Sequence, residues 1–324
     1  MKLFDSVPVG TELTALKETL ESGWWGNGKK TKEFEEKFAE YVGAKYAVGM
    51  NSCSSALDVA ARFLEKDEIT VSPLTFVASA LCILHAGKKV KFVDIDEGSL
   101  CTPEADIQVL YAGNDYGLGT IYDMAHAGGM KHQGLISCWS FQAVKNLPVG
   151  DGGMLTTNDE AIAKRARALS WCGIEQGTWE RSSGPYKWGY DINEIGFKGN
   201  MNDITATIGL CQLEKLAEHN GKRAQIASWY DSYLKSSIIR PYPSETWHLY
   251  VIRSQNRDKT RESLTKAGIA SSIHYKPLYN YPIFPQTPLP NTEAAYKEIL
   301  SLPMHLNLTE EDVKIVCDVV NHEN

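Results

Sequence analysis

Tyr46-Ala47-Val48-Gly49-Met50-Asn51-Ser52-Cys53-Ser54-Ser55-Ala56-Leu57 passes from a short apolar run through small polar residues into a helical pattern. Residues 46–50 suit a buried strand, and residues 54–64 suit a helix. A strand that turns over serines into a helix is the opening unit of an α/β layout. On its N-terminal side, residues 11–21 and 31–41 read as amphipathic helices, the second with Phe34, Phe38 and Tyr41 on one face. On its C-terminal side, residues 69–71, 90–93, 109–111, 120–122 and 154–157 are short, apolar and rich in β-formers, as buried parallel strands are. The alternation predicts an α/β domain whose mostly parallel sheet is sandwiched by helices.

The pattern changes in the second half. Residues 177–200 mix Gly, Ser, Pro and aromatic residues and read as a loop; Asp203 then opens a long helix through Leu210, Leu213 and Leu216 to Tyr233. Beyond it come a strand at 247–252, a helix at 258–267, a Pro-rich loop at 277–290 and two closing helices. This reads as a smaller α+β C-terminal domain, with the expected division at 1–215 and 216–324. The net charge of −7 gives no reason to expect nucleic acid. No run of about 18 apolar residues suggests a membrane span, and the first residues lack the apolar stretch of a signal peptide. Seven scattered cysteines without a CxxC fit reduced thiols, hence a cytoplasmic location, better than a disulfide framework or a metal site.

Three constellations carry chemistry. The Ser52-Cys53-Ser54 turn offers hydroxyls and helix N–H groups to a phosphate, although an ordinary serine N-cap would look the same. Asp123, in Tyr122-Asp123-Met124-Ala125-His126, closes a buried strand at the end where open α/β sheets bind ligands. A carboxylate buried there calls for a cationic partner, which a protonated pyridine would supply; a structural N-cap is the plain alternative. Lys145, in Ser140-Phe141-Gln142-Ala143-Val144-Lys145-Asn146, sits among apolar and aromatic neighbours, where desolvation lowers an ammonium pKa and frees the amine as a nucleophile. The glycines at 150, 152 and 153 let backbone pass close to a bulky group.

In this order and spacing the three sites resemble the DegT/StrS family of nucleotide-sugar aminotransferases, members of the aspartate-aminotransferase-like fold. The resemblance runs through Pro73-Leu74-Thr75-Phe76-Val77-Ala78, Gly196-Phe197-Lys198, Trp247-His248-Leu249-Tyr250 and His274-Tyr275 with Pro277-Leu278. It implies pyridoxal 5'-phosphate (PLP) as cofactor, held by Lys145 as a Schiff base and tuned by Asp123 at the pyridine nitrogen. It implies that Phe76 stacks on the ring, that His126 lies near the ring hydroxyl, and that Ser52, Cys53, Ser54 and Ser140 hold the phosphate. Lys198 would reach the phosphate of a neighbouring subunit in a homodimer, and Trp25, His274 and Tyr275 would meet substrate. The implied substrates are an amino-acid donor, glutamate by analogy, and a keto nucleotide sugar.

The chain departs from the family's pattern between Asp94 and Asp123, where about half the usual length remains and no crossover helix fits. An extended, helix-free return, or a rearranged sheet, is expected at residues 113–119. Asp151 replaces a usual Glu, and Tyr279 stands where a His often occurs. Other readings are a PLP-binding regulator without turnover and a PLP-dependent sugar dehydratase, which would use a His where Lys145 stands. A nicotinamide dehydrogenase lacks its fingerprint, since no strand is followed by GxGxxG.

Overall fold

The alternation of the first half folds into one seven-stranded sheet with helices on both faces. The computed structural model describes residues 1–175, 177–182, 188–239 and 243–324. In chain order the elements are α1 (Glu12–Glu21), α2 (Lys29–Val42), β1 (Tyr46–Met50), α3 (Cys53–Ala60), β2 (Glu68–Val71), α4 (Ala78–His85), β3 (Lys89–Phe92), β4 (Glu104–Val109), β5 (Leu118–Asp123), β6 (Ile136–Ser140) and β7 (Gly153–Thr157). Then follow α5 (Glu160–Ser170), α6 (Thr178–Ser182), α7 (Asp203–Tyr233), β8 (Tyr250–Arg253), α8 (Arg257–Lys266), α9 (Pro290–Glu298), β9 (Ile299–Leu302) and α10 (Glu310–Glu323).

The strand order is β1-β7-β6-β5-β4-β2-β3. Strand β7 runs antiparallel to both neighbours, and the other pairings are parallel. One face carries Ala56, Leu57, Ile83, Ala166 and Leu169 of α3, α4 and α5 against Ile69, Ile107, Ile121, Ile136 and Leu155 of the sheet. The other face takes Phe34 and Phe38 of α2 and Leu210 and Leu213 of α7 against Trp139 and Met154. Each such buried side chain contributes about 1.5–3 kcal/mol, so the period of α2 alone commits it to the sheet. Helix α2 stops at Gly43, whose φ of 74° supplies the left-handed cap that ends helices.

Helix α7 has 31 residues and spans about 46 Å. Its first half packs on the sheet, while Ile226, Ala227 and Tyr230 join a second core with Tyr250, Ile252, Leu264, Leu300, Leu302 and Val316. That core and the β8–β9 pair form the smaller α+β C-terminal domain. No helix among the described residues is long and apolar enough to cross a membrane.

Several boundaries differ from the sequence expectations. The strand expected at 109–111 is β4, ending at Val109, and Tyr111–Gly113 is a 3-10 turn. Glu104, Asp106 and Gln108 alternate with Ala105, Ile107 and Val109, so β4 has a period of two rather than an apolar run. The helix at 54–64 gives way after Ala60 to a 3-10 turn, and the strand at 247–252 begins only at Tyr250. Residues 177–200 contain the short α6, and β9 falls where the pattern predicts only helix. The expectation at 183–187 lies outside the described residues.

Between β4 and β5 the chain returns with no crossover helix. Val109 pairs with Asp123 and Glu104 with Leu118, so residues 110–117 must retrace a six-residue strand, about 20 Å. Eight extended residues span up to about 28 Å, and apart from the 3-10 turn the link is extended or bent. The side chain of Gln108, fully buried, packs under it. Its amide donates to Thr102 O at 3.0 Å and Tyr116 O at 2.8 Å, and its carbonyl accepts from Thr102 Oγ1 at 2.8 Å.

Candidate active site

The carboxyl ends of β5 and β6, the N-terminus of α3 and the segment before β8 enclose a cavity of about 480 Å³, a size suited to a small ligand or cofactor. Ser52, the N-cap of α3, accepts from Ser55 N at 3.1 Å. The first helical N–H groups have no partner within the helix, and Cys53 and Ser54 line the cavity with Ser140 and Gln142. Gly153 makes this packing possible. A Cβ there would lie 2.3 Å from the Ser52 carbonyl carbon and 2.4 Å from Cys53 N, so any side chain at the start of β7 would displace the turn.

Asp123, the last residue of β5, is buried. Its Oδ1 accepts from Ala125 N at 3.0 Å and lies 3.8 Å from the Cys53 thiol; its Oδ2 accepts from Ser79 Oγ at 2.7 Å. Burial raises its pKa, against the lowering effects of the Ser79 and Ala125 hydrogen bonds and the Lys145 charge. The loop between β6 and β7 carries Lys145 and is held by Ala143 N donating to Gly150 O and Val149 N to Phe141 O. Asn146 anchors it further, its amide donating to Asn220 Oδ1 at 2.8 Å and Thr246 O at 2.7 Å. Lys145 keeps some surface toward the cavity, yet its amine is enclosed deeply enough that desolvation brings its pKa down to about 8, while Asp123 and Cys53 act in the raising direction.

His126 Nδ1 accepts from Ala112 N at 3.2 Å, which puts its proton on Nε2, 3.0 Å from Tyr275 OH. Burial first, then Lys145 and His274, holds His126 well below the usual histidine pKa. His274 is pushed down to about 4, chiefly by burial, and its Nδ1 lies 2.8 Å from Ser301 Oγ. Phe76 is exposed and lines the cavity with its ring 6.3 Å from that of Tyr275.

The structure thus gathers Ser52, Cys53, Ser54, Phe76, Asp123, His126, Ser140, Lys145, His274 and Tyr275 around one cavity. It does not bring Lys198 or Trp25 there. Both line a second cleft of about 1030 Å³ with Trp24, Arg167 and Trp171, where Lys198 Nζ stands 3.3 Å over the Trp171 ring. Asp151 lines the first cavity. Tyr279 does not; it is buried and donates to Glu293 Oε1 at 2.7 Å. Sequence reading passed over Ser79 and His248. Ser79 sits four residues after Thr75, close to the stretch that carries the resemblance, and His248 within Trp247-His248-Leu249-Tyr250, but neither showed its partner.

Comparison with known proteins places the chain in a family. The DegT/DnrJ/EryC1/StrS aminotransferase family model matches residues 9–112 and 104–321. The chain belongs to this family. The two matched pieces overlap at residues 104–112, which span β4 and run into the turn that follows it. Spore coat polysaccharide biosynthesis protein SpsC of Bacillus subtilis is 34% identical over 362 residues, covering 95% of this chain and 93% of SpsC. Among solved structures, Helicobacter pylori PseC, an aminotransferase of pseudoaminic acid biosynthesis, has a TM-score of 0.87 at 29% identity, covering 98% of each chain. A Streptococcus pneumoniae protein named as a sugar aminotransferase, in its PMP form, has a TM-score of 0.89 at 27% identity, covering 99% of this chain and 98% of its own.

As a member of this aminotransferase family the chain is a transaminase, and the family implies PLP. The residues present fit that cofactor. An open helix N-terminus with serines suits its phosphate, a buried carboxylate without a fixed cation suits its ring nitrogen, and a lysine with a pKa near 8 suits its aldehyde.

Proposed function

We infer that this aminotransferase moves an amino group from an amino acid, glutamate by family analogy, to a keto group on a nucleotide-linked sugar. The observation that carries the reading is Lys145 and Asp123 in the walls of one cavity that also holds an open helix N-terminus. PLP, when bound, supplies the electron sink that lets nitrogen leave one carbon and join another. The chain's own residues do the rest. Lys145 holds the cofactor through its amine and, when released, carries a proton between neighbouring carbon centres. Asp123 keeps the ring nitrogen protonated, and that cation in turn offsets the cost of burying the carboxylate. Ser52, Cys53, Ser54 and Ser140 would hold the phosphate, Phe76 would offer its ring to the cofactor's face, and His126 would present a neutral imidazole to it.

A second copy of the chain completes the site in this reading. Among the described residues lining the cavity, Lys145 is the only Lys or Arg, and it is committed to the cofactor. An amino-acid donor and a nucleotide sugar bring carboxylates and phosphates that need further cations. Lys198, in a separate cleft of its own chain, is the group we assign to the partner's cavity in a homodimer.

The test is a half-reaction. Adding glutamate to the PLP-loaded protein is expected to bleach the visible band of the lysine-bound cofactor, and subsequent keto nucleotide sugars, screened by mass spectrometry, to restore it with an amino sugar as product. Lys145→Ala is expected to lose both the band and multiple turnover. Full multiple-turnover activity in that variant would refute the assignment.

A further inference from the structure

His248 is buried, at 2% exposure, and no sequence signal gave it a role. Its Nε2 lies 3.3 Å from Lys145 Nζ, the hydrogen-bond partner found for that amine among the described residues. Its Nδ1 is buried without a partner. The ring stacks on Phe4, centroids 5.6 Å apart and planes within 6°, and meets His126 at 4.6 Å on its other side. The segment that carries it is stitched down at two points: Thr246 Oγ1 donates to His126 O at 2.9 Å, and Thr246 O accepts from Asn146, the neighbour of Lys145. Between Thr246 and His248, Trp247 takes a φ of 46°, a left-handed conformation that a bulky residue adopts only at a cost. Strain of this kind persists where surrounding contacts over-determine a position, and it clusters at functional sites.

The geometry points to His248 as a positioning residue: its Nε2 lone pair accepts a hydrogen from the Lys145 amine and aims that amine into the cavity whenever it is not bound to the cofactor. The ring can only play acceptor if it is neutral. Burial first, then Lys145, His126, Arg223 and His274, holds it well below the usual histidine pKa, so the ring is neutral, and with Nε2 accepting from Lys145 its one hydrogen lies on Nδ1. Lys145 in turn faces Asp123 and Cys53. With a pKa of about 8, the free amine is mostly ammonium near pH 7 and donates to His248; the proton stays on nitrogen throughout, and no bond is made or broken in the contact.

The role rests on the aminotransferase reading, but its first test needs no cofactor. In His248→Gln the side-chain oxygen reaches where Nε2 was, whereas in His248→Asn it stops near Nδ1. Acetylation of Lys145 in cofactor-free protein, followed by peptide mass spectrometry across pH, reads the amine's proton affinity. We expect His248→Gln to keep the midpoint near 8, and His248→Asn to lower it by about one unit, a tenfold loss of proton affinity from removing one charge-assisted hydrogen bond. With PLP and glutamate, solvent deuterium exchange at the donor Cα should slow about tenfold in Asn and little in Gln. Equal behaviour of Gln and Asn in both measurements would overturn the positioning role. Absence of a lysine-bound band in the wild type would instead sink the aminotransferase reading, leaving the acetylation result intact.

Discussion

Lys145 and Asp123 show how one enclosure tunes two opposite charges. Burial lowers the lysine to about 8 and raises the aspartate, and each acts on the other in the reverse sense. A pKa of about 8 leaves roughly a tenth of the amine neutral at pH 7, against well under a thousandth for an unperturbed lysine. Because the neutral amine is the nucleophile, attachment of PLP to cofactor-free protein should accelerate as pH rises toward 8 and level off above it. Stopped-flow absorbance from about pH 6 to about pH 11.5, a range that brackets the lowered and the ordinary lysine values, measures this; a rise that continues past about pH 10 would mean an unperturbed lysine. Asp123→Asn keeps an acceptor for Ala125 N but removes the charge. Uncoupling a buried ion pair costs about 3–5 kcal/mol, so kcat/KM should fall by roughly 10²–10⁴-fold. An activity within threefold of wild type would show that the carboxylate does not face the reacting group.

At the scale of elements, the β4–β5 link returns without a crossover helix, and Gln108 is what closes it. In a longer protein a crossover helix would bury apolar side chains over these strands; here a single amide satisfies two carbonyls and a hydroxyl. Gln108→Ala leaves the Thr102 and Tyr116 carbonyls without that donor. A stability loss of about 2–4 kcal/mol in urea unfolding is expected, from one or two buried polar groups left unpaired. A loss below about 0.5 kcal/mol would mean that water reaches the link freely. Strands β2 and β3, at that edge of the sheet, differ from β4 in leaving one face exposed. Glu68 and Lys89 are exposed and Ile69 and Val90 buried, a period-two pattern that marks a sheet face open to solvent.

Across the whole molecule, the two clefts divide the predicted residues into one set around Lys145 and another around Lys198. If the second set serves a partner's cavity, inactive Lys145→Ala and Lys198→Ala proteins should complement when co-refolded, because a mixed dimer contains one site free of both changes. Recovery of up to about a quarter of wild-type activity is expected for random pairing in symmetric dimers, measured after denaturation and mixing. No recovery, with Lys198→Ala alone impaired, would place Lys198 in its own chain's chemistry. The long α7 ties these levels together. Its first half packs on the sheet, Asn220 near its middle accepts from Asn146 beside Lys145, and its last turns enter the C-terminal core.

Period and turn chemistry along the chain determined the α/β layout and the limits of β1 and α7, because each depends on neighbours within a few residues; Asp123 and Lys145 stood out there as candidates, and the family resemblance gave them their proposed roles. The missing crossover helix was equally legible, since too few residues lie between two strands to build one. Ser79 meets Asp123 across 44 positions and His248 meets Lys145 across 103. Such pairings carry no local signal; they exist only once the sheet and the C-terminal domain close over the same cavity. The separation of Lys198 from Lys145 is likewise a product of tertiary packing. A linear string records which groups are present, and the folded enclosure decides which of them share a dielectric and a proton.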